Sequence, residues 1–193
     1  MLTRAIRVAG QQHSVDMDVA LDWLRWFELR RKRLRTQAVV LHWTAGYGEP
    51  VDVHRTLVRR GLSVHFAIGA DGDVWQMADL SARCSHATMA NATTIGIELC
   101  SPGSLDPGDS PIAEEIHGRV VRYRPFAPAQ VAATRALVRE LCDLYELPLR
   151  APSEAREMTA DEWRRFRGVC GHLHVSRTKV DPGQLLLEQV TRP

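Results

Sequence analysis

Residues 37–46 read QAVVLHWTAG, and this stretch indicates the kind of fold. Residues 37–43 are mostly apolar and β-branched, which predicts a short strand buried on both faces. The run ends at His42 and Trp43, and the Thr-Ala-Gly that follows has the composition of a tight turn. A histidine in this place either makes a hydrogen bond within the core or points into a functional site, and the residue alone favours the core.

The rest of the chain alternates between strand and helix patterns. Further strands are predicted at residues 63–69, 73–77, 94–100 and 167–172, and helices at residues 51–60, 127–146, 159–166 and 183–190. Between the first two of these strands, Asp71-Gly72 is a hairpin turn signal. Strands mixed with helices in this way predict an α/β fold, a single domain with a central mixed β-sheet flanked by helices.

A separate N-terminal segment precedes this pattern. Residues 15–33 have acidic residues near their start, a basic cluster at their end and apolar residues at helical spacing, which together predict a helix. The simpler interpretation is a helix that packs on the domain, and the alternative is a basic helix that contacts an anionic polymer or a membrane surface. We therefore divide the chain into an N-terminal helical extension, residues 1–36, and a main domain, residues 37–193.

Composition excludes several classes of protein. The chain has 193 residues, of which 45% are hydrophobic, and this is enough for one domain with its own core. The formal net charge is +2 with a charged fraction of 25%, a balance that does not favour nucleic acid as a partner. No run reaches the roughly 20 apolar residues that a transmembrane helix needs. The four cysteines form no CxxC pair, so we expect buried thiols in a reducing compartment.

Three segments bring reactive side chains to predicted strands or their ends. One is the stretch that ends near His42. A second, residues 171–183, reads GHLHVSRTKVDPG, so that His172 ends a strand and a short loop then brings back Lys179 and Asp181. Zinc binds imidazole nitrogen and carboxylate oxygen, and a catalytic zinc site has three protein ligands and one open position. His42, His172 and Asp181 would make such a set, although their spacing is not that of a compact metal-binding motif.

The third segment, residues 95–99, reads IGIEL and places Glu98 inside an apolar strand. A carboxylate in an apolar environment costs free energy unless it is paired or lies beside a metal ion. Strand alternation also permits the simpler interpretation, in which Glu98 faces solvent. Burial would raise the pKa of Glu98, and a raised pKa suits a general base that takes a proton from water.

Together these segments resemble the amidase_2 family of N-acetylmuramoyl-L-alanine amidases, which includes phage endolysins, cytosolic muropeptide-recycling enzymes and the peptidoglycan-recognition proteins. The resemblance covers residues from about 37 to 190. The matching pieces, in chain order, are HWTAG at 42–46, SVHF at 63–66 with Asp71-Gly72, SHA at 85–87, IGIE at 95–98 and GH…KVDPG at 171–183. Each piece alone is weak, and their common order makes the resemblance specific.

The resemblance implies a role for each matching residue. The implied Zn²⁺ ligands are His42, His172 and Asp181. Glu98 would be the catalytic base, and Lys179 would stabilise the transition state. His65 and His86 match positions near the cleft, where they would contact the substrate or orient neighbouring groups.

The resemblance also implies an activity. The chain would hydrolyse the amide bond between N-acetylmuramic acid and L-alanine in peptidoglycan or its fragments. Its biological role stays open between a phage endolysin, a cytosolic recycling enzyme and an exported effector, and the basic N-terminal helix favours endolysin-like lysis of the cell wall. The alternative is a non-catalytic peptidoglycan-binding module of the same fold. The N-terminus has no apolar signal region, so we expect synthesis in the cytoplasm, with access to the wall through holin-type release or another export route. We expect a monomer.

Several features differ from the family pattern or lie outside it. Val64 occupies the position where the phage-lysozyme branch carries a catalytic tyrosine, which favours Glu98 as the base. Residues 101–125 are longer than a simple loop requires, and we expect them to line the groove or to bind a partner. His174 lies two positions from His172 and would face away from the metal in an extended loop. His54 is expected on the surface of its helix.

Overall fold

The computed structural model of the protein describes residues 5–14, 21–22 and 35–192. The strands in this part, in chain order, are β1 (Ala5–Val8), β2 (Gln11–Ser14), β3 (Leu21–Asp22), β4 (Ala38–Trp43), β5 (Phe66–Ile68), β6 (Val74–Gln76), β7 (Thr94–Leu99), β8 (Ile112–Ile116), β9 (Arg119–Tyr123) and β10 (Gly168–Gly171). The helices are α1 (Pro50–Arg59), α2 (Pro128–Leu144), α3 (Ala160–Arg165) and α4 (Gln184–Thr191). Short 3-10 turns lie at Thr88–Ala92 and His172–His174.

A six-stranded mixed sheet, in the order β10-β4-β7-β5-β6-β3, forms the centre of the molecule. Strand β4 lies between β10 and β7 and is parallel to both, and β5 is parallel to β7 on its other side. Strands β5 and β6 are the predicted antiparallel hairpin, and Gly72 in its turn has a φ of +92°, which glycine adopts without strain. The predicted α/β fold, with a central mixed sheet and flanking helices, is confirmed.

The two faces of the sheet carry different kinds of residue. Leu41 belongs to the largest apolar cluster, which also includes Leu137 of α2 and several residues of α4. The next residue towards the N-terminus, Val40, belongs to a separate cluster with Ala90 of the first 3-10 turn. Because side chains alternate along a strand, His42 leaves the sheet on the same face as Val40. The large core therefore lies on one face, and the reactive residues lie on the other.

The N-terminal segment differs from its prediction. The predicted helix is wrong at Leu21–Asp22, which pair with β6 as an edge strand, and the rest of that helix lies outside the described residues. Residues 5–14 of the predicted helical extension form an antiparallel hairpin, and its Ile6 is fully buried in the main core. Pairing with a sheet edge overrides helical periodicity here, because tertiary contacts decide between weak local propensities. The division of the chain at residue 36 stays a prediction.

Residues 101–125 contain a hairpin that composition did not predict. Strands β8 and β9 pair around His117 and Gly118, whose φ values are +53° and +74°. A two-residue turn with two positive φ values matches the twist of antiparallel strands. The runs IAEEI and RVVRY on either side of His-Gly are the signal that identifies such a hairpin.

The four predicted helices of the main domain and the buried position of the cysteines are confirmed. Each helix begins and ends within two residues of its predicted bounds. The predicted capping box begins α3, where the Thr159 hydroxyl accepts from Glu162 N at 3.2 Å and the Glu162 carboxylate accepts from Thr159 N at 2.7 Å. The buried cysteines are Cys84, Cys100, Cys142 and Cys170. In the described part of the chain, no helix has the length and apolar character needed to cross a bilayer.

Candidate functional site

The three predicted metal ligands come together at one edge of the sheet. Strands β10 and β4 are parallel with Gly171 opposite Leu41, so His172 and His42 follow at the same level. His172 begins a short 3-10 turn, and the chain then returns to place Asp181 beside both imidazole rings. The two histidines are 130 positions apart in the sequence, and they meet because parallel strands end at the same edge of a sheet.

The distances between the three ligand atoms fit a metal ion. His42 Nδ1 lies 3.1 Å from His172 Nδ1. Asp181 Oδ2 lies 3.1 Å from His172 Nδ1 and 3.4 Å from His42 Nδ1. Tetrahedral zinc with bonds of about 2.0–2.1 Å to nitrogen and oxygen places its ligand atoms about 3.3 Å apart. The donor atoms and their spacing therefore suit zinc, with a fourth position available to water or substrate.

The protonation of the set also suits a metal ion. Burial is the largest effect on His42 and lowers its pKa, and the neighbouring Asp181 carboxylate offsets this only in part. Burial of Asp181 opposes its ionisation, but the neighbouring imidazole rings of His172 and His42 outweigh burial and hold the pKa of Asp181 well below its usual value. A neutral imidazole and an ionised carboxylate are the forms that coordinate metals.

Glu98 lies next to this set. It is opposite His42 in the pairing of β4 with β7, so the two side chains leave the sheet on the same face. Its Oε2 atom is buried and has no hydrogen-bond partner among the described residues. Burial raises the pKa of Glu98 well above its usual value, and the Asp181 carboxylate raises it further. A carboxyl group with a raised pKa can take up and return a proton near neutral pH.

A groove of about 350 Å³ opens onto these residues. Trp43, Tyr47 and Arg60 line its walls, and Lys179 is exposed where it lines the rim. Asp106 lies in the loop between β7 and β8. The Tyr47 hydroxyl donates to its Oδ1 at 2.7 Å, so this loop holds Tyr47 in the wall of the groove. A groove of this size with aromatic, cationic and polar walls suits a ligand that has both apolar and charged groups.

His65 and His86, the two predicted substrate contacts, have different environments. His65 is fully buried, with Nε2 3.1 Å from the Ala82 carbonyl oxygen and Nδ1 accepting from Gly96 N at 3.0 Å. His65 is not among the residues that line the groove, and its predicted role near the cleft stays a prediction. His86 lines the groove, and its Nδ1 lies 2.9 Å from His42 Nε2. Burial lowers the pKa of His86 well below its usual value, and His42 adds to this effect, so His86 is neutral near pH 7.

The β8–β9 hairpin supports the loop that carries Lys179 and Asp181. His117 Nε2 donates to the backbone carbonyl of Lys179 at 2.8 Å. The Glu114 carboxylate accepts from the first two backbone N–H groups of α4 at 2.9 and 2.6 Å. The sequence predicts that residues 101–125 line the groove or bind a partner, and in the structure this hairpin braces the groove-lining loop from outside. The sequence carried no signal for the role of His117, because its partner is a distant backbone carbonyl.

Comparison with protein-family models shows the family to which this chain belongs. The family model Amidase_2, described as N-acetylmuramoyl-L-alanine amidase, matches residues 32–184. The chain belongs to the Amidase_2 family. This confirms the family that the sequence motifs resemble. No curated protein matches this Amidase_2 chain significantly in sequence.

Solved structures share the Amidase_2 fold with this chain. The endolysin and N-acetylmuramoyl-L-alanine amidase LysCS from Clostridium intestinale URNW is 19% identical, with 85% of this chain and 87% of that chain covered and a TM-score of 0.57. AmiD from E. coli, in complex with the substrate anhydro-N-acetylmuramic acid-L-Ala-D-γ-Glu-L-Lys, is 21% identical, with 96% and 65% covered and a TM-score of 0.56. The peptidoglycan recognition proteins LCa and LCx, bound to tracheal cytotoxin, give 18% identity, 90% and 96% coverage and a TM-score of 0.55. At these identities the likeness shows the fold, and the roles of individual site residues stay predictions.

Proposed function

We propose that this Amidase_2 chain is a zinc-dependent hydrolase that cleaves the amide bond between N-acetylmuramic acid and L-alanine in peptidoglycan or its fragments. The observation that carries the proposal is the convergence of His42, His172 and Asp181 beside Glu98. A protein that only binds the polymer has no need of a buried metal-ligand set next to a buried carboxylate oxygen that has no partner among the described residues. Family membership supports the substrate class and the bond.

The residues of the site divide the reaction between them. Zinc, when held by His42, His172 and Asp181, supplies a Lewis acid that polarises the scissile carbonyl and makes water more acidic. Glu98 takes a proton from the attacking water, and it returns that proton to the amine as the C–N bond breaks. Lys179 contributes positive charge to the carbonyl oxygen as it becomes negative. Water thus supplies oxygen to a lactyl carboxylate on the sugar and hydrogen to the free amino group of L-alanine.

Digestion of purified peptidoglycan tests the proposal. Protein dialysed against a chelator should release no new amino-terminal alanine, and added zinc should restore the release. Magnesium is the matched control and should not restore it, because Mg²⁺ prefers oxygen ligands and octahedral geometry. Mass analysis of the fragments identifies the bond that is cut, and a different new end would contradict the proposed substrate. Zinc-loaded protein that binds the wall without cutting it would instead be the non-catalytic peptidoglycan-binding module.

We extend the proposal to the cellular role. The amidase would act in lysis of the cell wall as a monomer, after synthesis in the cytoplasm and holin-type release or another export route. The fold that it shares with the endolysin LysCS supports this role. Expression in a bacterial host with and without a holin is the test. Lysis should need both proteins, whereas intact cells in the presence of both would argue for a role in recycling of wall fragments.

A further inference from the structure

A chain of three hydrogen bonds leads away from His42. His42 Nε2 lies 2.9 Å from His86 Nδ1, on the side of the ring opposite the metal-facing Nδ1. His86 Nε2 lies 3.2 Å from the Thr94 hydroxyl. The Thr94 hydroxyl donates to the Ala90 carbonyl oxygen at 2.8 Å. The chain therefore ends on a group that can only accept a hydrogen bond.

That last group fixes the direction of every bond in the chain. A hydroxyl has one proton, and Thr94 donates it to Ala90, so the Thr94 oxygen must accept from His86 Nε2. A neutral imidazole has one N–H, so His86 Nδ1 carries a lone pair and accepts from His42 Nε2. The single proton of neutral His42 is then on Nε2. Its Nδ1 lone pair is left facing His172 and Asp181.

The surrounding residues hold the His86 ring in this chain. The Asn91 carboxamide oxygen accepts from the backbone N–H groups of His86 and Ala87 at 2.9 and 2.6 Å. The ring lies against Gly96 of β7, where a Cβ atom would come within 2.6 Å of His86 Nδ1. Gly96 thus leaves the space that the ring occupies. Thr94, two residues earlier on the same strand face, is fully buried.

We propose that His86 is a positioning residue which, together with Thr94, holds His42 in the tautomer and orientation that bind the metal ion. This inference rests on the zinc site of the proposed function. Partners that bond the outer nitrogen of a metal-binding histidine commonly change metal affinity about 10–100-fold. Here the partner is another imidazole, and the direction of the chain comes from a threonine hydroxyl and a backbone carbonyl.

The Thr94→Val substitution tests the proposal with little change of shape. Valine keeps the branched side chain but gives His86 Nε2 no acceptor, so His86 can take the other tautomer and His42 Nδ1 can gain the proton. The Ala90 carbonyl keeps its hydrogen bond from Thr93 N, so the change leaves no carbonyl without a donor. Thr94→Ser, which retains the hydroxyl, is the matched control. His86→Ala removes the imidazole that joins His42 to Thr94. Gly96→Ala displaces the His86 ring but leaves the His86 imidazole and the Thr94 hydroxyl chemically unchanged.

Two measurements give the answer without an activity assay. Competition with a chromophoric chelator should show zinc bound about 10–100-fold more weakly by Thr94→Val and His86→Ala than by wild type and Thr94→Ser. Imidazole ¹⁵N NMR of the zinc-free protein should show His42 and His86 with the proton on Nε2, and a mixture of tautomers in Thr94→Val. Thermal unfolding identifies any variant that fails to fold. If His86→Ala or Gly96→Ala does so, the zinc affinity and tautomers of Thr94→Val decide whether the proposal holds. Unchanged zinc affinity together with unchanged tautomers in Thr94→Val would overturn the proposal. Failure of wild type to bind zinc would refute the proposed function, whereas the NMR result would still test the hydrogen-bond chain.

Discussion

The Glu98→Gln substitution should separate the catalytic role of this residue from its effect on stability. Glutamine has nearly the shape of glutamate but cannot take a proton from water, so turnover falls while the groove keeps its form. In the wild type, Glu98 Oε2 is buried without a hydrogen-bond partner among the described residues, and burial raises the pKa of this carboxyl well above its usual value. Ionisation of Glu98 therefore weakens the metal-free fold, and the variant has no such ionisation.

The expected magnitudes follow from these two effects. General acid–base catalysis contributes about 10²–10⁴-fold, so the barrier should rise by about 3–5 kcal/mol. For stability, a raised pKa means that the contribution of Glu98 is fully present below its unfolded pKa and is lost as the pH rises through its folded pKa. Each unit of elevation corresponds to about 1.4 kcal/mol. The free energy of unfolding of wild type should therefore fall relative to the variant as the pH rises from acidic to mildly alkaline.

Urea denaturation of zinc-free proteins over this pH range measures the stability, and release of amino-terminal alanine by zinc-loaded proteins measures the activity. Glu115→Gln is the matched control, because Glu115 is exposed on β8 and should show neither effect. Full activity in Glu98→Gln would refute the assignment of the base. A stability that follows pH in parallel with wild type would refute the argument that burial raises the pKa of Glu98.

Two further substitutions test the packing that supports the site. Leu137→Ala in α2 should lower the free energy of unfolding by about 2–5 kcal/mol in urea denaturation, whereas Val58→Ala, at a residue 54% exposed, should change it by less than about 0.5 kcal/mol. An equal loss of unfolding free energy in the two variants would contradict the assignment of Leu137 to the core. Glu114→Ala leaves two backbone N–H groups of α4 without their acceptor, which should cost about 1–3 kcal/mol and weaken zinc binding by loosening the loop before α4. Unchanged zinc affinity in this variant would mean that the hairpin does not brace that loop, and Glu115→Ala is its control.

The ligand set was open to prediction because its signals are local. His42 and His172 each follow a short apolar run that predicts a strand, and Asp181 comes shortly before the start of a helix. Parallel strands end at one edge of a sheet, so two short patterns are enough to bring distant side chains together. The same holds for the four helices, which have caps, Gly or Pro near their ends, and for the hairpin around Asp71-Gly72.

The histidines show where local signals fail and where helical periodicity is sufficient. Nothing in the residues around His65 and His86 tells which ring enters the groove, because their partners Gly96 and His42 come from strands distant in sequence. The surface position expected for His54 is wrong, since this residue is only 9% exposed. It lies next to Val53 on the face of α1 that packs into the domain, so helical periodicity could have placed it correctly.

The sequence Ile-Gly-Ile-Glu at residues 95–98 joins stability and function in one strand. Ile95 and Ile97 are fully buried in the core with α2 and α4, whereas Gly96 and Glu98 face the site. Glycine inside a strand costs about 0.5–1 kcal/mol relative to alanine. At Gly96 a larger residue would meet the His86 ring, so only glycine leaves room for that ring. Strand β7 tolerates it because it is paired on both sides, with β4 and β5. The alternation of this strand thus builds the core with one set of residues, while the other set makes room for His86 and places Glu98 beside His42.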